Sequence, residues 1–195
     1  MLGWANFALM VGATILFMYL YALSVQPFKR QKRIGDAAWQ QCTRLRWYAL
    51  FFEVIQLVCM ALWIWIPVPV ADQIIPDFKF RIPIIAIISI PFWIILFAGA
   101  IHSGKESMFP SSQTELFKGI YRYCRHAQCT GEFPIFLLYA VALNSWVLVA
   151  FVIVFAVSFF SIIILYEEKD LVLKYGNQYK AYQKQTGAFF PKLIK

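Results

Sequence analysis

The residues that could carry chemistry in this 195-residue chain fall into two short polar stretches. The first reads Gln113-Thr114-Glu115-Leu116-Phe117-Lys118-Gly119-Ile120-Tyr121 and continues Arg122-Tyr123-Cys124-Arg125-His126-Ala127-Gln128-Cys129-Thr130-Gly131-Glu132. The second runs from Glu167-Glu168-x-x-Leu171 through Tyr175-Gly176-x-x-Tyr179-x-x-Tyr182 to Thr186-Gly187 and Phe190-Pro191. Leu171, Tyr175, Tyr179 and Tyr182 recur at helical spacing, which predicts one face of a single helix. Taken alone, that stripe reads as anchoring at a membrane interface, where tyrosine is favoured. Arg125-His126 alone reads as a contact to phospholipid headgroups. Other chemistries are excluded cheaply. Two histidines (His102, His126) and four cysteines (Cys42, Cys59, Cys124, Cys129) show no zinc spacing. The cysteines read as buried small hydrophobes. The chain contains no dinucleotide fingerprint, phosphate loop or nucleophile elbow, and nothing suggests a hydrolase triad.

The elements that must position these stretches are membrane helices. The chain is 61% hydrophobic and 14% charged, against about 45–50% and about 25% in soluble domains. A helix needs about 20 apolar residues to cross the hydrocarbon core. Residues 4–25, 48–66 and 82–101 each satisfy this, the last with Pro91 inside it. The first has neither the basic start nor the cleavage site of a signal peptide, so it reads as a retained span. Residues 133–165 are too long for one span and carry Asn144-Ser145 near the middle. They predict a tight hairpin of two helices, 133–143 and 146–165. The expected fold is an all-α integral membrane protein of five spans, one membrane-embedded domain over 1–195, with a cytoplasmic C-terminal helix.

Lys and Arg number six in segment 26–47, four in 102–132 and six after Tyr166. The loop 67–81 carries only Lys79 and Arg81, opposed by Asp72 and Asp77. The positive-inside rule then places the N-terminus outside and the C-terminus in the cytoplasm. The net charge of +8 lies between apolar runs, as juxtamembrane anchors do, and no nucleic-acid-reading module accompanies it. Nucleic acid is therefore not an expected partner; membrane lipids are. The two polar stretches should meet at the cytoplasmic face, between water and lipid.

The order Gly-x-Tyr-x-x-x-Arg-His, then a hairpin, then Glu-Glu-x-x-Leu-x-x-x-Tyr-Gly-x-x-Tyr-x-x-Tyr and a terminal proline resembles the isoprenylcysteine carboxyl methyltransferase family over residues 113–191. Phospholipid N-methyltransferases share related C-terminal features. The resemblance implies S-adenosylmethionine as cofactor and a lipophilic or lipid-linked acceptor at the cytoplasmic face. It assigns the cofactor to residues 102–132 and 163–191, specifically to Gln113, Thr114, Glu115, Leu116, Tyr121, His126, Ala127, Gln128, Cys129 and Glu167. Backbone groups of the two turns can satisfy the methionine and adenine polar atoms, and Glu167 can accept from the amine or ribose. Methyl transfer from a sulfonium requires in-line placement and exclusion of water, so no nucleophilic residue is expected.

Three positions depart from the family pattern. Ala127 replaces a proline, Cys129 replaces a tyrosine, and Ile163 replaces the arginine assigned to the substrate. Arginine binds a carboxylate bidentately, so Ile163, at the substrate position, shifts the expected acceptor from a carboxylate to a lipid amine or a thiol. Glu53 sits inside the second span and is expected to pair with Arg46 or to snorkel. The alternatives to a methyltransferase are a weakened or non-catalytic protein on the same scaffold, and a membrane reductase binding a nicotinamide cofactor. A faint likeness to the membrane-associated glutathione-metabolising proteins over 125–137 does not extend to the Tyr-rich tail. The methyl acceptor and the oligomeric state are not legible.

Overall fold

A computed structural model describes residues 1–70, 74, 80–110 and 118–192. Among these residues the protein is all-helical, with no strand. Helix α1 spans Leu2–Ser24, α2 Pro27–Ile34, α3 Ala37–Leu62 and α4 Arg81–Ser103. Helix α5 spans Ala127–Ala142, α6 Trp146–Ile162, α7 Glu168–Tyr175 and α8 Asn177–Gln185. Short 3-10 turns occupy Gly104–Ser107 and Gly119–Arg122, and a π-helical turn, Ile163–Glu167, joins α6 to α7.

Among the described residues, four helices are long and apolar enough to cross a membrane: α1, α3, α4, and the run Trp146–Tyr175 that begins with α6. The protein is thus a multi-pass membrane protein. The hairpin forms as expected, but its first arm differs from the predicted 133–143. Helix α5 starts at Ala127 and has 16 residues, about 24 Å at 1.5 Å per residue, short of the ~30 Å hydrocarbon core. It nevertheless traverses the bundle. At the hairpin tip the Asn144 side chain accepts from the Ile74 amide at 2.8 Å, and Arg81 donates to the Ala142 carbonyl at 3.0 Å. The tip therefore lies beside the connection between α3 and α4, opposite the polar stretches. Asn144 has φ 60°, a left-handed conformation that asparagine tolerates better than most residues. Ser145 caps α6 by accepting from the Leu148 amide.

Helix α3 starts eleven residues before the predicted span and ends at Leu62 instead of Ile66. Residues 37–47 contain Gln, Arg and Ala, which favour helix, so the helix continues beyond the apolar run until Gly35-Asp36 interrupts it.

Two apolar clusters hold the bundle. Met10, Cys59, Met60, Trp63, Leu148 and Val152 pack near the hairpin tip. Phe17, Ala49, Phe133, Phe155, Phe159 and Ile163 pack nearer the polar stretches. Phe17 stacks on Phe159 with centroids 5.3 Å apart. Helix α4 packs on α5 and leaves Ile87, Ile94, Phe97 and Ile101 exposed, the surface that lipid would cover. All four cysteines are free; Cys42, Cys59 and Cys124 are buried, as expected, and Cys129 is partly buried.

The α4–α5 approach depends on Gly131. A Cβ there would lie 2.6 Å from both the Leu96 amide nitrogen and the Phe92 carbonyl oxygen, so only glycine lets the backbones meet. Helix propensity alone would favour alanine at this position by about 1 kcal/mol. Overpacking costs about 1–3 kcal/mol, and here the obstacle is backbone. Gly131→Ala should therefore lower the midpoint of thermal unfolding in detergent; a raised midpoint would show that the two helices have slack.

Candidate functional site

The site begins with a buried carboxylate. Glu168 is 5% exposed and lies directly after the π turn. Arg125 donates to its Oε1 from Nε at 2.8 Å and contacts it from Nη2 at 2.8 Å. The His126 Nε2 lies 3.0 Å from the same oxygen, and Gln183 donates to Oε2 at 2.8 Å. One side chain thus ties the segment before α5 to α7 and α8. Arg125 and His126 are engaged here, not with headgroups.

The tail then closes over the same segment. The amides of Arg125 and His126 donate to the carbonyls of Gly187 (2.9 Å) and Ala188 (3.0 Å). Thr130 donates to the Phe189 carbonyl at 2.8 Å, and Arg125 donates to the Thr186 carbonyl. The Phe189 ring stacks on Phe160 of α6 at 4.2 Å. On the other side, Asp170 accepts from the Phe28 and Lys29 amides at 3.0 and 2.8 Å. Those amides belong to the first turn of α2 and lack intrahelical acceptors, so the acid caps α2 from another helix. Lys174 lies over the Trp39 ring, 5.5 Å from its centroid.

The predicted tyrosine face is not one helix. Gly176, with φ 59°, ends α7 and starts α8, because the left-handed conformation cannot continue a helix and favours glycine. Leu171, Tyr175, Tyr179 and Tyr182 nonetheless line one cavity. Tyr179 is 1% exposed, and Tyr182 donates to the Tyr121 carbonyl. These rings are a wall rather than an interfacial belt. Burial raises the Tyr121 phenol to about 12 and pushes those of Tyr179 and Tyr182 well above the ordinary range. All three stay protonated at neutral pH; Tyr121 donates to the Gly99 carbonyl at 3.2 Å.

The cavity has a volume of about 310 Å³, within the range of small-molecule sites. Among the expected cofactor residues, Tyr121, His126, Gln128, Cys129 and Glu167 line it. Glu167 is the last residue of the π turn, a device that recurs at functional sites because it re-aims side chains. Here it sends Glu167 to the cavity and Glu168 to Arg125. Tyr21 of α1 contacts the Glu167 carboxylate at 3.4 Å. The Gln128 amide donates to the hydroxyls of Ser103 and Ser107 at 3.1 and 3.2 Å. Gly119, at φ 59°, packs so close to the His102 ring that a Cβ would overlap it.

Ala127 and Ile163 do not line the cavity. Ala127 is fully buried at the first position of α5, the helical position where proline is tolerated; the helix starts there without one. Ile163 is fully buried in the aromatic cluster. Gln113, Thr114, Glu115 and Leu116 lie outside the described residues.

Glu53 neither snorkels nor pairs with Arg46. Arg46 donates to the Ser107 carbonyl at 2.5 Å, while Glu53 and Glu132 line the cavity together. Glu132 and Asp170 fell within the expected cofactor ranges without a role of their own, and Trp39 escaped the sequence reading. The one available signal was that Glu132, like Glu53, is a carboxylate bordering an apolar run, where charge is costly.

Removing the buried carboxylate should be severe. Glu168→Ala leaves Arg125 buried without its acid, a change worth about 3–5 kcal/mol. The variant should unfold at lower temperature and expose 186–192 to protease; wild-type resistance would show that the tail is held by other contacts.

The family model described as "Protein of unknown function (DUF1295)" matches residues 7–186. No curated protein and no solved structure matches the chain. A match over nearly the whole chain, through the membrane helices and both polar stretches, makes this protein a member of the DUF1295 family.

Proposed function

We propose that the protein is an integral membrane methyltransferase that uses S-adenosylmethionine to methylate a lipophilic, membrane-associated acceptor at the cytoplasmic face. The observation that carries this reading is a single cavity bounded by both polar stretches and by membrane helices α1, α3 and α6. Such a cavity suits a reaction between a water-soluble donor and an acceptor that arrives through lipid. The resemblance to isoprenylcysteine carboxyl methyltransferases, which rests on the same two stretches, supplies the chemistry.

The residues present fit the cofactor. The first-turn amides of α5 at Gln128 and Cys129 begin a helix, so they lack intrahelical acceptors and favour a carboxylate. Glu167 offers an acceptor for an ammonium or for ribose hydroxyls, and the Tyr121 and Tyr179 rings give apolar wall beside it. S-adenosylmethionine supplies an electrophilic methyl group on a cationic sulfur. The protein's contribution is placement: the Glu168 clamp holds the α5 start, the π turn aims Glu167, and the tail keeps water from the cavity roof.

The distribution of Lys and Arg supports a cytoplasmic C-terminus and an outside N-terminus. That arrangement needs an odd number of crossings, which the short α5 supplies as the fifth. A C-terminal tag should accordingly be cut by protease only from the cytoplasmic side; cutting from the opposite side would overturn the topology.

Glu167→Ala removes one charge-assisted hydrogen bond, about 1.5–3 kcal/mol, and should weaken S-adenosylmethionine binding by about 10- to 100-fold. Calorimetric titration of the purified protein in detergent tests this. Unchanged affinity in the variant would refute the site. Absence of binding in the wild type, or binding of a nicotinamide cofactor instead, would refute the methyltransferase reading.

A further inference from the structure

The cavity continues beyond the cofactor-lining residues, and its deeper part carries a charge pattern of its own. Glu53 lies two helical turns further along α3 than Arg46, about 10 Å deeper at 1.5 Å per residue. Glu132 lies on α5, one turn beyond Cys129. The two carboxyls come from different helices and border the same open volume. The wall around them is apolar, built from Phe17, Ala49, Leu50 and Phe159. Cys129, one turn before Glu132 on α5, lines the same cavity as Glu53 and Glu167, so the deep pair and the proposed cofactor end share one volume.

Of the cations that line the cavity, Arg125 binds Glu168 and Arg46 donates to the Ser107 carbonyl, while Lys118 and Lys174 belong to the two polar stretches. At the position where the resembling enzymes carry a substrate-binding arginine, Ile163 is sealed in the aromatic cluster. The deep end therefore has acids where a carboxylate-binding site would need a base. A carboxylate or thiolate acceptor would meet like charge there, which disfavours its ionised form. An amine would meet a complement.

Resting on the methyltransferase reading, we propose that Glu53 and Glu132 form the acceptor end of the cavity and select a lipophilic molecule whose reactive group is a basic amine. The pair also accounts for the proton. The amine would bind as an ammonium and give one proton to the ionised carboxyl of the pair, which frees the nitrogen lone pair. With S-adenosylmethionine bound, that lone pair would form the N–C bond to the methyl carbon as the C–S bond breaks with its electrons passing to sulfur. The product would leave as the methylated ammonium, and the pair would return its proton to water.

The test uses the full chain in phosphatidylcholine nanodiscs and a fluorescent probe, a dodecyl chain bearing dansyl at one end and a primary amine at the other. Dodecylamine should displace the probe about tenfold better than dodecanol or dodecanoate, the difference expected of one hydrogen bond to a charged group. The double variant Glu53→Gln, Glu132→Gln should lose that preference, and Glu53→Asp should retain it. Equal displacement by all three competitors, or a preference that survives the double variant, overturns the proposal. Binding of S-adenosylmethionine is titrated on the same samples and reports whether the double variant is folded. If it is not, the single Glu53→Gln is read instead, with a several-fold loss of preference expected and an unchanged preference overturning the proposal. Amine selection without cofactor binding in the wild type would sink the methyltransferase reading alone, whereas cofactor binding without amine selection would sink only the acceptor assignment.

Discussion

Everything at the polar end of this protein depends on where one carboxylate is held. Glu168 receives Arg125, His126 and Gln183 within a buried space, so the start of α5, the tail helices and the end of α6 share a common point. A buried ion pair of this kind adds little net stability, because desolvating both charges offsets most of the attraction. Its value lies in registration. Only one relative placement of the segment before α5 and the segment after α6 satisfies the arginine fork, the imidazole and the amide at once. The backbone bonds from Arg125 and His126 to Gly187 and Ala188 then follow from that placement.

The π turn converts this fixed point into a site. In a continuous α-helix, adjacent residues differ by 100° around the axis, and the extra residue in the turn changes which neighbour each one meets. Glu168 is directed to the clamp while Glu167 reaches the cavity and Tyr21. Two adjacent acids thereby serve opposite ends, one structural and one open to a ligand. Above the clamp the surfaces are polar and bonded to each other; below it the helices are apolar on both sides. The cavity crosses that boundary, from Tyr182 in the tail to Glu53 inside α3.

Much of this was legible from composition and spacing. Apolar runs of sufficient length marked α1, α3, α4 and α6, and Asn144-Ser145 marked the hairpin, because membrane helices obey one dominant constraint. The resemblance, not composition or spacing, assigned Tyr121, His126, Gln128, Cys129 and Glu167 to the cofactor, and these residues line the cavity. The misreadings share a cause. Gly176 was read through, so two helices were taken as one, although a glycine between two Tyr residues is a helix stop where the backbone turns left-handed. Arg125-His126 and Glu53 were assigned to headgroups, to Arg46 or to water because their partners lie 42 to 79 positions away. Spacing along the chain carries no signal for such pairs. Ile163, carried to the substrate by the resemblance, is buried in the aromatic cluster.

The long reach of these contacts also bears on how the molecule is made. Tyr21 waits for Glu167, and the first turn of α2 waits for Asp170. A chain emerging from the ribosome places α1, α3 and α4 in the bilayer while the amides of Phe28 and Lys29 in α2 still face water, uncapped. Until the segment from Glu167 onward follows, the groove between α1, α3 and α5 has a floor and no roof, and Glu53 and Glu132 stand open to the interface. The cavity is thus a late product of biosynthesis, and a chain stopped before the tail would be inserted, helical and unable to enclose anything.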